Sequence, residues 1–383
     1  LGEPNHAGNV GGKSIWFKWM SQAAVPTSMT FELRSMSTSS SPIGVFSLLA
    51  VYTGSTLDSL ATVRSSARQG LNKVVFTATP GTTYYIAIDG YDSGGGAATG
   101  TFDLSYRPTK SPRQADFDRD GKADLAVYRP TTGVWYSFET STEEMRGHQF
   151  GANGDKPLIG NDGVNDGMID HTVYRPDTGV WYISKSTGGF SIFAFGVATD
   201  VPMVRYSENQ LSQTATVFRP QDGTWWTRAQ NGTYSVVQWG ALGDIPLLAD
   251  FTGDGTDETT VFRPSTGTWY ILKSGSYSVI QFGQDGDKPV PADYDGDGRT
   301  DPAIFRPATN TWWILRSTDN AQIATQFGAA TDKLQPADYD GDGKDDIAVF
   351  RNGVWWVLQS SDGAVKAAQF GLGTDIPIAS PMQ

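Results

Sequence analysis

Apolar and aromatic residues occur along this chain in short runs that glycine, proline and aspartate interrupt, and no stretch has the periodicity of an amphipathic helix. Residues 288–327 predict four strands, separated by an Asp-rich turn and by Pro307: 288–293, 301–306, 311–315 and 321–327. The adjacent Trp312 and Trp313 would point to opposite faces of the third strand, which suits a sheet buried on both sides. The pattern predicts an all-β protein.

The four-strand unit recurs six times after residue 110. Its copies share an Arg-Pro pair (Arg-Asn in the last copy) at intervals of 43 to 46 residues, then a Trp, then an aromatic-Gly pair. Four strands at this period are typical of a β-propeller blade. The anchors are Arg129, Arg175, Arg219, Arg263, Arg306 and Arg351, then Trp135, Trp181, Trp225, Trp269, Trp312 and Trp355, and lastly Phe150, Phe195, Trp239, Phe282, Phe327 and Phe370.

The end of the chain begins a further copy that does not continue. Residues 376–379 match the first strand of a unit. We therefore predict a six-bladed propeller over residues 109–383, with an extra C-terminal strand that either closes its own ring or pairs with another chain. A seven-bladed ring, the alternative, would need strands from elsewhere.

Residues 1–108 lack the repeat and predict a separate domain. Strand-like runs at 14–19, 46–52 and 83–88 are separated by Gly and Ser turns, which is typical of a β-sandwich. Residues 106–113, with Pro108 and Pro112, predict a stiff linker between the two domains.

The composition narrows the possible partners. A net charge of −12 argues against nucleic acid and against anionic membrane surfaces. There is no cysteine, which excludes disulfides and thiolate chemistry, and no apolar run is long enough to span a bilayer. Much of the acidity is clustered, which suggests cations as partners.

The clusters lie between the first and second strands of a unit. Alternate carboxylates on a tight loop converge on one point, glycine permits the turn, and the seventh residue offers a carbonyl oxygen. Such hard oxygen ligands favour Ca²⁺ over Mg²⁺, and zinc is unlikely without His or Cys. The complete sets are Asp116, Asp118, Asp120, Lys122 and Asp124; Asp293, Asp295, Asp297, Arg299 and Asp301; and Asp338, Asp340, Asp342, Lys344 and Asp346.

Three copies are less complete. Partial ligand sets remain in the second copy (Asp162, Asp166, Asp170) and in the fourth (Asp250, Thr252, Asp254, Glu258), whereas the third has Tyr206, Glu208, Gln210 and Thr214 and predicts no ion. Three sites are therefore predicted, and up to five. The alternative is that the aspartates only cap turns. Without a cation the packed carboxylates repel one another, so metal removal should destabilise the fold.

Residues 111–383 resemble the FG-GAP/VCBS repeat propellers, through the Phe-Gly pair, the Asp loop and the strand after it. The resemblance implies an extracellular propeller with calcium in its loops, serving adhesion or carbohydrate and protein binding, or accompanying enzymes as a non-catalytic module.

Residues 1–108 resemble bacterial pre-peptidase C-terminal (PPC) β-sandwich domains. The matching segments are 3–4, 6–8, 11–16, 50–54 and 85–90. Members of that family begin upstream of this motif, so the resemblance implies that the first strand of the domain is missing here. A sandwich short of a strand and a propeller with a spare one suggest head-to-tail strand exchange.

Other candidates favour structural roles. Nothing pairs His6, His148 or His171 with a nucleophile. The repeated Arg is predicted to pair with the Asp of the following Gly-Asp-x-Pro turn (Asp155, Asp244, Asp287), and the repeated Trp to pack between blades rather than to stack on sugars. The third copy, with Arg205 and Tyr206, is the most irregular and the first place to seek a specific ligand site.

The sequence thus predicts a non-enzymatic, calcium-stabilised protein, secreted or on the cell surface after removal of an N-terminal segment. It would bind a carbohydrate or protein ligand, without nucleic acid and without membrane insertion. The alternatives are a filament or surface-layer subunit and a propeller-type polysaccharide-degrading enzyme.

Overall fold

The structure is a computed structural model, and it describes residues 14–21, 27–35, 47–55, 59–65, 73–90, 102–108, 115–118, 120–140, 142–160, 169–186, 188–206 and 214–379. The chain divides into two compact units, residues 1–109 and 110–383. Within the described residues no helix has the length and hydrophobicity that a bilayer span requires.

The first unit consists of two antiparallel sheets that share one apolar core. One sheet has the strand order β1-β6-β3-β4 and the other β5-β2-β7. Phe31 and Phe76 from the second sheet are buried against Val51 and Ile86 from the first. The strands are β1 (Ile15–Met20), β2 (Thr27–Ser35), β3 (Ser47–Thr53), β4 (Ala61–Ser65), β5 (Lys73–Ala78), β6 (Thr83–Gly90) and β7 (Phe102–Pro108).

The start of the linker, predicted at residue 106, was wrong, because β7 continues to Pro108. Residues 106–108 belong to β7, where Tyr106 pairs with Phe31 of β2. The two prolines of the segment suggested a linker, but Pro108 ends an edge strand, a place where the missing N–H costs no ladder hydrogen bond.

The second unit forms six four-stranded antiparallel sheets from its described residues, here called blades 1 to 6. Blade 1 comprises β8 (Leu125–Arg129), β9 (Val134–Glu139), β10 (Glu144–Gln149) and β31 (Ile376–Pro377). The next two are blade 2, β11 (Lys156–Gly160), β12 (Asp170–Arg175), β13 (Val180–Ser184) and β14 (Phe190–Ala194), and blade 3, β15 (Val201–Arg205), β16 (Thr214–Arg219), β17 (Thr224–Arg228) and β18 (Tyr234–Gln238).

The remaining blades have the same strand order. They are blade 4, β19 (Ile245–Ala249), β20 (Glu258–Arg263), β21 (Thr268–Lys273) and β22 (Ser276–Gln281); blade 5, β23 (Lys288–Pro289), β24 (Ala303–Arg306), β25 (Thr311–Leu315) and β26 (Gln322–Gln326); and blade 6, β27 (Lys333–Leu334), β28 (Ile347–Arg351), β29 (Val354–Leu358) and β30 (Val365–Gln369).

The blades follow one another in a closed cycle. Each apolar cluster of this unit joins two neighbouring blades: Tyr174 and Trp181 of blade 2, for example, pack with Val217 of blade 3. The last link returns to the start, because Phe350 and Trp355 of blade 6 pack with Val127 of blade 1. A cycle of four-stranded sheets with its core between the blades is a β-propeller, and the all-β prediction is confirmed.

The C-terminal strand is the innermost strand of blade 1. Ile376 pairs with Tyr128 and Pro377 with Val127 on β8, and the amide of Ile378 donates to the Ala126 carbonyl at 2.8 Å. Residues 376–379 therefore complete the first repeat and do not begin a seventh. Within this one chain the extra strand closes its own ring.

The repeated Trp and the aromatic-Gly pair belong to one packing unit. The indole N–H of Trp181 donates to the Phe195 carbonyl at 2.8 Å, and all six copies make the equivalent bond. The glycine after the aromatic residue allows close packing, because a Cβ on Gly151 would lie 2.5 Å from the Tyr128 hydroxyl oxygen. Its carbonyl in turn requires a glycine opposite, since a Cβ on Gly133 would lie 2.3 Å from the Gly151 carbonyl oxygen. These six Trp side chains are buried, as the sequence predicted.

The strands of blade 5 occur in the predicted order, but three of the four are shorter than predicted. β24 begins at Ala303, two residues after the predicted start. β25 has the predicted bounds, and β26 is one residue shorter at each end. The first strand is limited to Lys288–Pro289, with an isolated bridge between Ala292 and Asp301. Pro289 and Pro291 lack the N–H that a continuous ladder needs.

Candidate metal centre

Acidic loops lead into the second strand of several blades. In blades 4, 5 and 6 they connect the first strand to the second, and in blade 1, whose first strand is β31, the loop leads into β8. We call them loop 1 (116–124), loop 4 (250–258), loop 5 (293–301) and loop 6 (338–346) after their blades, and number their residues from position 1 to position 9. In each loop the carboxylate at position 1 accepts backbone N–H groups. Asp293, for example, accepts Gly296 at 2.7 Å and Gly298 at 3.0 Å. Both glycines have positive φ, 81° and 85°, which explains their place in the loop.

The position-9 carboxylate joins its loop to the rest of the blade. Asp301 accepts the backbone N–H of Tyr294 within loop 5 at 2.9 Å and that of Ser317, just after β25, at 2.6 Å. Asp124 and Asp346 make the same two contacts in blades 1 and 6. These contacts fix the orientation of the position-9 side chain before any ion arrives.

The loops hold carboxyl groups whose ionisation is costly. Burial, and to a lesser extent the neighbouring Asp295 carboxylate, raise the pKa of Asp301 to about 7. Burial also raises the pKa of Asp124 and Glu258 to about 7 and that of Asp346 to about 6. The backbone N–H bonds lower these pKa values, but not enough to offset burial.

Four groups of three carboxylates each have ligand oxygens within 4.8 Å of one another. They are Asp116, Asp118 and Asp124; Asp250, Asp254 and Glu258; Asp293, Asp295 and Asp297; and Asp338, Asp340 and Asp346. Asp120, Asp301 and Asp342, which the sequence placed in the same ligand sets, stand outside these tight groups. The structure thus brings together three carboxylates of each of these four predicted ligand sets, and not every member.

The geometry of these groups fits a calcium ion. Ligand oxygens that bind one Ca²⁺ at about 2.3–2.6 Å lie at most about 5 Å apart, in line with the observed spread. The donors are all carboxylates, which are hard ligands suited to this ion. A bound cation would also relieve the repulsion that raises the carboxyl pKa values.

Loops 2 and 3 are only partly described. Asp162 and Asp166 lie outside the described residues, and Asp170 is buried and accepts the Ser186 backbone N–H at 2.7 Å. In blade 3, Glu208 and Gln210 also lie outside the described residues. Tyr206, at position 1 of that loop, is bonded to loop 4, since its N–H donates to Asp257 Oδ2 at 2.8 Å.

Several hydroxyl groups that the sequence analysis missed contact the acidic loops. The Ser317 hydroxyl donates to Asp297 at 2.7 Å, Ser360 to Asp342 at 2.9 Å and Thr140 to Asp120 at 2.7 Å. Each of these residues follows the repeated Trp by five positions. A Ser or Thr in phase with the acidic loops was the signal that could have identified them.

The repeated arginines form bidentate ion pairs. Each arginine lies at the end of its blade's second strand, at the opposite end of that strand from the acidic loop. Arg175 binds both oxygens of Asp155, at 2.7 and 2.8 Å, and its guanidinium lies 4.6 Å from the ring centre of Tyr182. All six repeats have the ion pair. The predicted partner was wrong by one repeat: each arginine binds the Asp of the turn before it in the blade, because that turn leads into the neighbouring innermost strand.

His148 and His171 lie together between blades 1 and 2. Their ring centres are 4.5 Å apart, and His148 Nε2 is 3.1 Å from the Ser184 hydroxyl. Burial, and to a lesser extent the neighbouring His148, lower the pKa of His171 to about 3. His171 also packs on Phe117 and Trp135, so this pair is part of the interface between blades. His6 lies outside the described residues.

Residues 293–349 match the family model of the FG-GAP-like repeat, which confirms this part of the predicted resemblance. The matched segment runs from loop 5 through loop 6 to β28. A search of curated proteins found no match.

Solved β-propeller structures are similar to the chain at low identity. Virginiamycin B lyase from Staphylococcus aureus is 8% identical, with 68% of this chain and 88% of that chain covered and a TM-score of 0.44. A lectin from Agrocybe aegerita, described as recognising non-reducing terminal N-acetylglucosamine, is 15% identical (64% and 76% covered, TM-score 0.43). BBS1N in complex with ARL6DN is 12% identical (71% and 93% covered, TM-score 0.44).

Proposed function

We propose that residues 110–383 form a calcium-stabilised binding module without enzymatic activity, in a protein that is secreted or displayed on the cell surface. The observation that carries the proposal is that a three-carboxylate group recurs in four equivalent loops of the propeller. The group uses positions 1, 3 and 9 in loops 1 and 6, positions 1, 5 and 9 in loop 4, and positions 1, 3 and 5 in loop 5. Calcium would neutralise these groups and hold the loops in one conformation. A repeated arrangement of this kind suits a framework better than a single catalytic centre.

The outer strands offer a surface for the ligand. Phe190, Tyr234 and Tyr277 occupy equivalent positions on the outermost strands of blades 2, 3 and 4, and they are 67%, 58% and 65% exposed. Two residues further along each strand, an exposed aliphatic side chain extends the surface: Ile192, Val236 or Val279. Apolar groups exposed in contiguous sets are typical of binding surfaces.

Two of these rings are held in place from behind. Phe190 stacks on Phe150 of the preceding blade with ring centres 5.9 Å apart, and Tyr234 stacks on Phe195 at 5.5 Å. An aromatic ring that is fixed on one face and open on the other can receive the apolar face of a sugar ring or a side chain of a partner protein. A carbohydrate or protein ligand on the cell surface, as in adhesion, is therefore the proposed partner.

A subunit of a filament or surface layer is the second proposal. β31 pairs with β8 through Ile376 and Pro377, a short contact that another chain's strand could replace. The first unit, proposed as the PPC-like domain, would receive the exchanged strand. Segments 3–4, 6–8 and 11–13 of the PPC motif lie outside the described residues.

A polysaccharide-degrading propeller enzyme would need one acid, base and Arg cluster in a single place. The perturbed carboxyl groups at Asp124, Glu258, Asp301 and Asp346 instead recur in four blades. This distribution favours the binding module.

The test is a glycan array probed with the calcium-loaded protein, together with electron microscopy of the same sample. Binding that is lost in Tyr234→Ala and kept in Gln322→Ala, the equivalent position of blade 5, supports the module. Ordered fibres would favour the filament instead, and turnover of a glycan would revive the enzyme.

A further inference from the structure

The acidic loops of neighbouring blades are bonded directly to one another. The backbone N–H at position 8 of one loop donates to the carbonyl at position 1 of the loop before it in the cycle. The bonds are Asp257 to Tyr206 (3.0 Å), Thr300 to Asp250 (2.7 Å), Asp345 to Asp293 (2.7 Å) and Ala123 to Asp338 (2.7 Å). Loops 4, 5, 6 and 1 are thereby joined in one series.

Two of these bonds, those of Asp345 and Ala123, connect the carboxylate groups of successive loops across a single peptide unit, whereas the bond from Asp257 ends on Tyr206, which belongs to none of the four groups. Asp293 belongs to the carboxylate group of loop 5, and Asp345 directly precedes Asp346, which belongs to the group of loop 6. The N–H of Asp346 in turn donates to Ala337 of its own blade at 2.8 Å. An ion that fixes the backbone of Asp293 therefore also restrains the peptide that carries Asp346.

Between loops 5 and 6 the connection runs in both directions. The Asp345 carboxylate accepts the backbone N–H of Asp293 at 2.8 Å, while the Asp345 N–H donates to the Asp293 carbonyl at 2.7 Å. Asp257 makes the same pair of contacts with Tyr206. Asp345 is 9% exposed, and it does not belong to the three-carboxylate group of its own loop. These contacts of Asp345 therefore connect loop 6 to loop 5.

The side chain at position 7 adds to the contact between loops. The Arg299 guanidinium donates to the Phe251 carbonyl in loop 4 at 3.2 and 3.3 Å. Lys122 of loop 1 lies over loop 6: a Cβ on Gly341 would be 3.1 Å from its Cγ. Position 7 therefore places its cationic side chain against the loop before it.

We infer that Asp345 is a positioning residue that couples calcium binding in loop 5 to calcium binding in loop 6. This inference rests on the proposed calcium binding and names a residue that would regulate it. An ion in loop 5 orders Asp293, Asp293 holds Asp345, and loop 6 then binds its ion with less ordering of its own backbone. Charge repulsion between the two ions would instead weaken binding of the second ion. Stronger binding at loop 6 when loop 5 is occupied therefore indicates coupling through the backbone.

The experiment measures calcium affinity at loop 6 by NMR, following the amide of Gly343, which donates to Asp338 Oδ2 at 3.2 Å. Four proteins are compared: wild type, a loop-5 knockout (Asp295→Ala with Asp297→Ala), Asp345→Ala, and all three changes together. We expect the knockout to weaken binding at loop 6 about tenfold when Asp345 is present, and less than about twofold when it is alanine.

Two variants separate the hydrogen bond from charge and from general damage. Asp345→Asn keeps an oxygen for the Asp293 N–H and should preserve the coupling, whereas a charge effect would be lost. Thr300→Ala changes position 8 of loop 5, where the contact to loop 4 is from the backbone N–H, and should leave the coupling of loops 5 and 6 unchanged.

An equal tenfold effect in the Asp345→Ala background, or no effect of the knockout in wild type, would overturn the inference while leaving calcium binding in place. Absence of any calcium-dependent shift at Gly343 and at Gly298, the equivalent amide of loop 5, would overturn the proposed function as well.

Discussion

Arg129 and Asp375, 246 positions apart in the chain, form the ion pair that joins the two ends of the propeller unit. Arg129 Nε lies 3.0 Å from Asp375 Oδ1 and its terminal nitrogen 2.9 Å from Oδ2. Lys333 adds a bond to the Asp375 carbonyl at 2.7 Å. The other five repeats form this pair between residues 19 or 20 positions apart. The ring is therefore closed by the same Arg–Asp pair that is local in sequence in every other blade.

Loss of the closing pair should open blade 1. In Arg129→Ala the buried Asp375 carboxylate loses its cation, which should cost about 3 kcal/mol of unfolding free energy. Arg306→Ala is the matched control, because it breaks the same pair within one blade. Both variants should be destabilised in denaturant, but only Arg129→Ala should lose hydrogen-exchange protection at Ile378. Equal protection of Ile378 in both variants would contradict this role.

The hydroxyl groups beside the loops should tune calcium affinity. Ser360→Ala removes the bond to Asp342, a sequence-predicted ligand that lies outside the three-carboxylate group of loop 6. If Asp342 joins that group when calcium binds, we expect about a tenfold weaker affinity at loop 6, the lower end of the range for residues that orient metal ligands. Ser235→Ala, on the exposed outer strand of blade 3, serves as the control. Calorimetric titration measures both. Equal affinities in the two variants would rule out a role for the Ser360 hydroxyl.

Calcium-dependent stabilisation should grow as the pH rises. Asp124, Glu258 and Asp301 have pKa values of about 7 in the folded protein, above their ordinary range. Between the ordinary and the raised pKa the folded state binds more protons than the unfolded state, so these groups lower the stability of calcium-free protein as pH rises through about 7. Protons compete with calcium below that pH. The rise in Tm on adding calcium should therefore be larger at pH 8 than at pH 5.5, and a constant difference would contradict the account.

His171 should act in the opposite direction. Its folded-state pKa of about 3 lies below the ordinary 6.5, so the unfolded state binds more protons and this group lowers stability as pH falls below about 6.5. One such proton corresponds to about 1.4 kcal/mol per pH unit. His171→Phe, which keeps the aromatic packing on Phe117 and Trp135, should remove that slope between pH 6 and pH 4. Denaturant unfolding across this range measures it, and an unchanged slope would show that His171 is protonated when folded.

Most of the propeller could be predicted because the same residues recur at nearly the same spacing in six repeats. The repeated Trp and the aromatic-Gly pair keep a nearly constant spacing because the Trp indole N–H donates to the carbonyl of the aromatic residue. The acidic loops recur with the same period because each leads into the second strand of its blade. Periodicity therefore revealed the strands, the blades and the loops.

Contacts between repeats were not visible in the sequence. The pairing of Arg129 with Asp375 depends on ring closure, and the partner of Asp345 lies one blade away. A local pattern contains no information about which repeat faces which. For the same reason the sequence identified Asp346 as a candidate ligand and assigned no role to Asp345, whose partner lies in another repeat.

The central claim is that the acidic loops bind calcium, and calorimetric titration of chelator-treated protein with CaCl₂ tests it most directly. The account predicts at least four ions per chain, one for each carboxylate group, and a higher Tm in the loaded protein. Absence of binding heat together with an unchanged Tm would contradict it and would leave the aspartates as caps of their turns.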